Sequence, residues 1–196
     1  MPDFSVENKL GGIVAGIDEV GRGPWAGPVV AAAVILNNDN YPNGIDDSKK
    51  LSPSKRQILF LEIIRSAKFG VGLADVFEID NMNILEASKL AMLRAYKNLN
   101  THVDCVIVDG NQPLALNCKT YPLVSGDSIS LSVAAASIIA KVTRDKIMHL
   151  LAKEYPHYGW ESNVGYGTKQ HQDGIRIHGI TEHHRRSFKP IAKFVA

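Results

Sequence analysis

The chain alternates short apolar runs with longer stretches in which apolar residues recur at helical spacing. Residues 13–17 and 28–36 are short runs bounded by glycine, proline or charged residues, and both predict buried strands. Residues 69–77 alternate between apolar and polar positions, and residues 103–108 are rich in β-branched side chains, so each predicts a further strand. A shorter apolar stretch at 121–124 precedes a Gly-Asp-Ser turn.

Helical spacing is found in three stretches. Ser52 followed by Pro53 is typical of a helix start, and this helix is expected to continue to about residue 68. Asn83 can cap a second helix, and a third extends from about 128 to 153 with an alanine-rich centre that lets its backbone approach a sheet closely. The stripes expected to be buried are Leu85, Met92, Tyr96 and Leu99 on the second helix, and Ile129, Val133, Ala136 and Ala140 on the third.

The order of these elements predicts an α/β fold with a mixed sheet flanked by helices. The first strands should be antiparallel and the later one parallel, because crossover helices precede it. A length of 196 residues fits one domain with an appended segment. Beyond residue 155 the pattern changes to glycines, histidines and short helical pieces. We therefore expect an α/β domain over residues 1–154 and a small helical segment over residues 155–196.

The composition is unlike that of membrane-spanning, exported or disulfide-rich proteins. With 45% hydrophobic and 21% charged residues, the chain is typical of a soluble globular protein. It contains no apolar run long enough to span a membrane, and the acids Asp3 and Glu7 are unlike the basic start of a signal peptide. Two cysteines, Cys105 and Cys118, give neither a disulfide framework nor a thiolate zinc site. We expect a cytoplasmic protein that does not associate with membranes.

The net charge of +2 is unevenly distributed along the chain. Residues 141–196 contain ten Lys or Arg and five Asp or Glu, whereas residues 1–140 contain twelve and fifteen. Six of the seven histidines lie in the same C-terminal quarter. A basic segment on an acidic body fits a polyanionic partner, but a solvated helix face explains the charge equally well.

Four acids lie at predicted strand ends or turns: Asp18, Glu19, Asp109 and Asp127. Such loops are where α/β proteins place their sites, although Asp127 alone is more often a turn residue. Two carboxylates about 4 Å apart repel by roughly 4 kcal/mol at an effective dielectric of about 20, so a converging group needs cations. Oxygen ligands without clustered Cys or His favour Mg²⁺ or Mn²⁺, and two such ions support phosphodiester hydrolysis.

The segment Gly21-Arg22-Gly23 follows the acidic pair directly. A short glycine loop is usually a tight turn, and this one lacks the dinucleotide and P-loop patterns. Beside metal ligands it has a second interpretation, because backbone without Cβ atoms can touch a sugar or phosphate. Arg22 would add a charged contact.

Several long segments, in one order, resemble the type 2 ribonucleases H of bacteria. They extend from about residue 13 to 188 and read IDEVGRGPWAGPVVAAAVIL, DDSKKLSPSKR, VDG, SGDSISLSVAAASIIAKVTRD, GYGT and TEHHRRSF. The resemblance implies an RNase H-like fold and a monomeric endonuclease that uses two Mn²⁺ or Mg²⁺ ions. Its implied substrates are the RNA strand of RNA–DNA hybrids and single ribonucleotides in duplex DNA. Cleavage would leave 5′-phosphate and 3′-hydroxyl ends.

The resemblance also implies roles for individual residues. The residues matched to metal binding and catalysis are Asp18, Glu19, Asp109 and Asp127. The residues matched to substrate binding are Gly21, Arg22, Gly23 and Tyr166, with Lys49 and Arg185 as further candidates. The glycine loop would sense the 2′-hydroxyl, and Tyr166 would pack on the sugar at the RNA–DNA junction, because the 2′-hydroxyl is what distinguishes RNA from DNA.

Two features of the C-terminal segment need separate interpretation. Val164 occupies a position where the family commonly has a lysine, so one phosphate contact could be missing. His171, His183 and His184 have no thiolate partners or zinc-site spacing, and the resemblance places them in the basic substrate face or in its supporting hydrogen bonds.

Two other functions remain open on the sequence. A DNA endonuclease of the same general fold would share the acids but would have no use for the Gly21-Arg22-Gly23 and Tyr166 combination. A module that binds hybrids without cutting them would tolerate substitution at Asp109.

Overall fold

The computed structural model describes residues 1–194 as a five-stranded mixed sheet with helices on both faces. The strands are β1 (Val14–Val20), β2 (Val29–Ile35), β3 (Lys68–Ala74), β4 (Cys105–Asp109) and β5 (Lys119–Leu123). The helices are α1 (Ser5–Leu10), α2 (Pro53–Ser66), α3 (Val76–Met82), α4 (Ile84–Asn98), α5 (Leu131–Glu154), α6 (Trp160–Asn163), α7 (Lys169–His178) and α8 (Lys189–Ala192).

The sheet order is β3-β2-β1-β4-β5. The three strands β1, β2 and β3 are antiparallel neighbours, whereas β4 pairs in parallel with both β1 and β5. This confirms the predicted mixed sheet, with antiparallel strands first and parallel strands after the crossover helices. Strand β1 therefore lies at the centre, where Val14 to Asp18 are buried and its last two residues are only partly covered.

Alternating side chains of the central strands fill two separate cores. Ala31 and Ala33 of β2 pack towards α4, while Ala32 and Val34 of the same strand pack towards α2 and α5. Of the predicted stripe of α4, Met92 lies in the first core, whereas Leu85 is 37% exposed and was wrongly expected to be buried. Successive side chains of this buried strand thus point to opposite faces of the sheet, and both faces are covered by helices.

Helix α5 lies against β1 at very short range. A Cβ atom at Gly16 would overlap the backbone of Ser132, so only glycine permits this approach. Ala134, Ala135 and Ala136 are fully buried, which confirms that the helix centre is built for close packing. Ile129 was expected on the buried stripe, but this is wrong: it precedes the helix and is 40% exposed.

The predicted strand over residues 69–77 is too long at its C-terminal end. β3 stops at Ala74, because Asp75 caps α3 in a reciprocal hydrogen-bonding arrangement with Glu78. Alternation in a short apolar segment did not distinguish the end of a strand from the start of a helix. Helix α1 was also not predicted from the sequence.

Residues after Glu154 fold back onto the sheet domain. Trp160 and Ile175 are buried with Met148 of α5 and with Ala26 from the loop after β1. The expected C-terminal segment extends to residue 196, of which residues 195 and 196 lie outside the described residues. Within residues 1–194 no helix is both long and apolar enough to cross a bilayer.

Candidate metal centre and substrate face

The parallel pairing of β1 with β4 brings the first acids together. Ile17 of β1 is in register with Val108 of β4, so Asp18 and Asp109 follow at neighbouring positions of adjacent strands. β1 continues through Glu19 to Val20, so the strand does not end at the acidic pair as expected. The carboxyl of Asp18 accepts the backbone N–H of Glu19 at 2.7 Å, which fixes its direction.

Asp127 approaches from the short 3₁₀ turn Gly126–Ser128 that precedes α5. The N–H of Gly126 donates to Oδ1 of Asp109 at 2.7 Å, which links this turn directly to the end of β4. Three chain segments that are distant in sequence therefore place carboxyl groups at one end of the sheet.

The electrostatics of these carboxyl groups show that they interact. Burial raises the pKa of Asp18 well above its ordinary value, and the charges of Glu19 and Asp109 raise it further. Burial also raises the pKa of Glu19, although Arg22 partly opposes this. Burial and then the charge of nearby Asp47 raise the pKa of Asp127. Such perturbation is typical of sites where carboxylates share a cation.

Two cationic side chains of the protein hold two of the acids. Arg22 Nη1 lies 3.3 Å from Glu19 Oε1, and Lys49 Nζ lies 3.5 Å from Asp127 Oδ2. In residues 1–194 no group of three His, Cys, Asp or Glu side chains is arranged to hold a metal ion as the side chains stand. Glu19 Oε2 is buried and has no hydrogen-bond partner within this part of the chain.

These carboxylates fit a hard divalent cation by their chemistry. All the donors are oxygens, they repel one another, and one buried oxygen is left without a donor. Lys49 can leave Asp127 at small cost, because its side chain is 81% exposed.

Asp47 is an additional acid at this site that the sequence reasoning did not select. Its charge acts on Asp127, and its Oδ1 accepts the N–H of Lys49 at 2.9 Å. The available signal was its position in the segment DDSKK, directly before the candidate Lys49.

Buried arginines contact the loop that carries Gly21, Arg22 and Gly23 from the protein interior. Gly21 has a φ of 96°, and a Cβ atom there would overlap Nε of Arg144. Glycine is thus required at position 21 by the protein interior. Arg144 also donates to the carbonyls of Ala26, Pro28 and Val164 at 2.9 to 3.0 Å.

Arg185 does not lie on the surface, so the expectation that it contacts substrate is wrong. Its side chain is fully buried, and its guanidinium donates to four backbone carbonyls at 2.6 to 3.0 Å. The accepting carbonyls belong to Gly21, Arg22, Pro24 and Gly27. Burial, together with the charge of Arg144, lowers the pKa of Arg185 to about 9. Arg185 therefore shapes the loop from its inner side.

Tyr166 lies beside this loop and is 48% exposed. A Cβ atom placed on Gly23 would be 3.4 Å from Cε1 of the tyrosine ring, so the two elements are neighbours. His171 and His184 are fully buried, so they belong to the supporting hydrogen bonds and not to the exposed face. Val164 has a left-handed backbone with φ of 45°, and its carbonyl accepts from Arg144.

Comparisons with known proteins identify the family to which the chain is similar. The family model described as ribonuclease HII matches residues 15–191. A ribonuclease HII of Wolbachia pipientis from Culex pipiens is 56% identical over 191 residues, which cover 97% of each chain.

Solved structures share the fold, which confirms the expected RNase H-like architecture. Ribonuclease H2 of Pyrococcus horikoshii OT3 matches with a TM-score of 0.76 and 30% identity, covering 92% of this chain and 96% of that one. The Bst ribonuclease HIII solved in complex with Mn²⁺ matches with a TM-score of 0.74 at 20% identity, covering 100% and 73%. Since the family model and a relative more than half identical both extend over nearly the whole sequence, this protein belongs to the ribonuclease HII family and is an endonuclease of the ribonuclease H type.

Proposed function

We propose that this ribonuclease H cleaves RNA–DNA hybrids and also incises duplex DNA at single embedded ribonucleotides. The reaction is phosphodiester hydrolysis supported by two Mn²⁺ or Mg²⁺ ions, and it leaves 5′-phosphate and 3′-hydroxyl ends. The metal ligands are Asp18, Glu19, Asp109 and Asp127. Family membership supports activity on hybrids, whereas the single-ribonucleotide activity rests on the loop and the tyrosine described above.

The observation that carries this proposal is the meeting of mutually repelling carboxylates at the ends of β1 and β4. The pKa of Asp18 responds to the charges of Glu19, Asp109 and Asp127, so all four lie within electrostatic reach of one point. A binding module would have no need for this repulsion, which destabilises the folded protein. The unpartnered Oε2 of Glu19 supports the same interpretation.

The residues of the chain have separate tasks in the reaction. Bound divalent ions would lower the pKa of the attacking water and neutralise charge on the phosphate. Gly126 N–H occupies Oδ1 of Asp109, which orients that carboxylate. Lys49, released from Asp127, becomes free to pair with a phosphate oxygen of the substrate.

Substrate reading would use the exposed loop and the neighbouring ring. Arg185 draws the carbonyls of Gly21 and Arg22 inwards. In a trans peptide the N–H points opposite to the C=O, so the N–H groups of Arg22 and Gly23 face outwards and can donate to a 2′-hydroxyl or phosphate. Tyr166 would pack on the adjacent sugar, where a deoxyribose offers a drier surface than a ribose.

Three duplexes test this function: one with a single ribonucleotide, a continuous RNA–DNA hybrid, and an all-DNA duplex. We expect cleavage of the first two with Mn²⁺ or Mg²⁺, none with EDTA, and none by an Asp109→Asn variant. Mapping of the product ends checks the predicted polarity. Cleavage of the all-DNA duplex at a comparable rate would favour the DNA endonuclease alternative.

Tyr166→Ala tests the reading of the junction, with Tyr166→Phe as a control that retains the ring. Stacked aromatic contacts in single-stranded complexes are worth roughly 1–3 kcal/mol, so a similar sugar contact predicts about a tenfold to hundredfold loss at a single ribonucleotide. Cleavage within continuous RNA should decrease less. Equal losses on both substrates would mean that Tyr166 positions the strand without reading the junction.

A further inference from the structure

The backbone of Tyr166 is held by a buried pair of histidines. The Nδ1 atom of His171 lies 2.9 Å from the carbonyl oxygen of Tyr166, and Nε2 of His171 lies 3.0 Å from Nε2 of His184. Both histidines are fully buried. They come from α7 and from the segment before α8, so they connect two parts of the C-terminal region.

The hydrogen-bond partners determine which nitrogen of each ring carries the proton. A carbonyl oxygen can only accept, so the Nδ1 of His171 that faces Tyr166 must be the protonated nitrogen. In the neutral ring its Nε2 is then an acceptor, and it receives the indole N–H of Trp160 at 3.2 Å. The Nδ1 of His184 accepts the backbone N–H of Thr181 at 2.9 Å, so its Nε2 carries the proton and donates to His171.

Both rings are consequently neutral and have one tautomer each. Burial, and then the proximity of His171, lowers the pKa of His184 to about 3. Burial also lowers the pKa of His171. At neutral pH the direction of every hydrogen bond in this pair is therefore fixed, from His184 through His171 to Tyr166.

The residue that follows His184 anchors the other part of the substrate face. Arg185 holds the carbonyls of Gly21 and Arg22, as described above. The backbone of His184 forms a bridge with Ala26, and Trp25 N–H donates to the carbonyl of Gly165 at 2.8 Å. His184 and Arg185 thus fix both the glycine loop and the loop between α6 and α7 that carries Tyr166.

We propose that His171 is a positioning residue for substrate discrimination: its Nδ1–H holds the Tyr166 backbone, and His184 keeps His171 in the tautomer that can do so. This inference rests on the proposed role of Tyr166 in reading the substrate. His171 itself is too buried to touch nucleic acid, so it acts through Tyr166.

Two substitutions at position 171 test the roles of the two ring nitrogens separately. Asn places an N–H donor near the position of Nδ1 and has no atom at Nε2. Gln places an acceptor near Nε2 and has no donor at Nδ1. We expect His171→Asn to retain the wild-type ratio of kcat/KM on the single-ribonucleotide duplex to that on the continuous hybrid, within about twofold. His171→Gln should lower this ratio towards that of Tyr166→Ala.

The two variants must be compared at matched stability, so their thermal midpoints are measured alongside the kinetics. A purely structural role predicts that activity follows the midpoint in both variants and that the substrate ratio does not change. If His171→Gln retains the wild-type ratio while Tyr166→Ala lowers it, the positioning role is overturned and the role of Tyr166 stands. If Tyr166→Ala leaves both rates unchanged, the proposed function of Tyr166 fails.

An independent measurement does not depend on catalysis or on variants that fold poorly. The ¹⁵N chemical shifts of the imidazole nitrogens in the intact protein distinguish the tautomers. We expect the proton on Nδ1 of His171 and on Nε2 of His184 at neutral pH. A proton on Nε2 of His171 would refute the proposal, because Nδ1 would then have no hydrogen to donate to Tyr166.

Discussion

Replacing Asp109 by Asn separates the charge of this residue from its hydrogen bond. The Oδ1 atom of Asn can still accept the N–H of Gly126, which Asp109 accepts at 2.7 Å, so the turn before α5 should stay in place. The charge that raises the pKa of Asp18 and Glu19 is lost. We therefore expect a folded protein with less internal repulsion and without cleavage activity.

The size of the stability gain follows from Coulomb's law. Two carboxylates about 4 Å apart repel by roughly 4 kcal/mol at an effective dielectric of about 20. Raised pKa values and the counter-charges of Arg22 and Lys49 already remove most of this repulsion. We expect Asp109→Asn to raise the free energy of unfolding by about 1 kcal/mol without metal, which corresponds to about 2–4 °C in the thermal midpoint for a chain of this size.

With divalent ions present, the wild type should become more stable than Asp109→Asn. An ion that binds only the folded state stabilises it, and the wild type with all four acids should gain more than Asp109→Asn. Cleavage by the variant should decrease more than about a hundredfold. This exceeds the loss that is typical when a residue hydrogen-bonded to a metal ligand is replaced.

The assay is thermal unfolding of both proteins in EDTA and in Mn²⁺, with cleavage of the single-ribonucleotide duplex measured in parallel. Asp173→Asn is the matched control, because it removes an exposed acid whose partner is Arg176 on the same helix. Near-normal turnover of Asp109→Asn, or a lower midpoint than wild type in EDTA, would refute the reasoning.

Further predictions concern Arg185, Arg186, Val164 and His184 of the C-terminal region. Neutralising the exposed Arg186 should lower the slope of log binding constant against log salt concentration by about 1 if its side chain reaches a phosphate. Arg185→Gln should leave this slope unchanged. It should reduce the free energy of unfolding by about 3 kcal/mol, as measured by urea unfolding. Val164→Lys should steepen the salt slope by about 1. Lysine tolerates the left-handed backbone better than β-branched valine, which offsets part of the packing that Val164 provides to the cluster around Trp160. A pKa near 3 for His184 means that the unfolded chain binds its proton first, so stability decreases as pH falls below about 6.5, by up to about 1.4 kcal/mol per pH unit. His184→Gln should flatten this part of the urea-midpoint profile, and an unchanged profile would contradict the assignment.

The carboxyl cluster could be predicted from the sequence because its acids close apolar runs or lie in the turn before a helix. Asp18 and Asp109 each close an apolar run, and parallel neighbours bring such ends together. The resemblance then supplied Tyr166 and the glycine loop, which the structure places side by side.

The roles of the arginines and histidines in the C-terminal quarter could not be predicted in the same way. A charge count treats Arg144, Arg185 and Arg186 alike, yet the first two are buried on backbone carbonyls and the third is exposed. A guanidinium has five donors and can be buried wherever enough carbonyls converge, and that convergence comes from loops far apart in the sequence.

The sequence by itself determined the fold class, the family and the acids that we propose as metal ligands, because periodicity and motif order are local properties of the chain. The tertiary structure alone decided which basic residues are exposed and which hold the loops from inside. It also placed the carbonyl of Tyr166 and the ring of His184 against His171, and the tautomer that we propose for His171 depends on these partners.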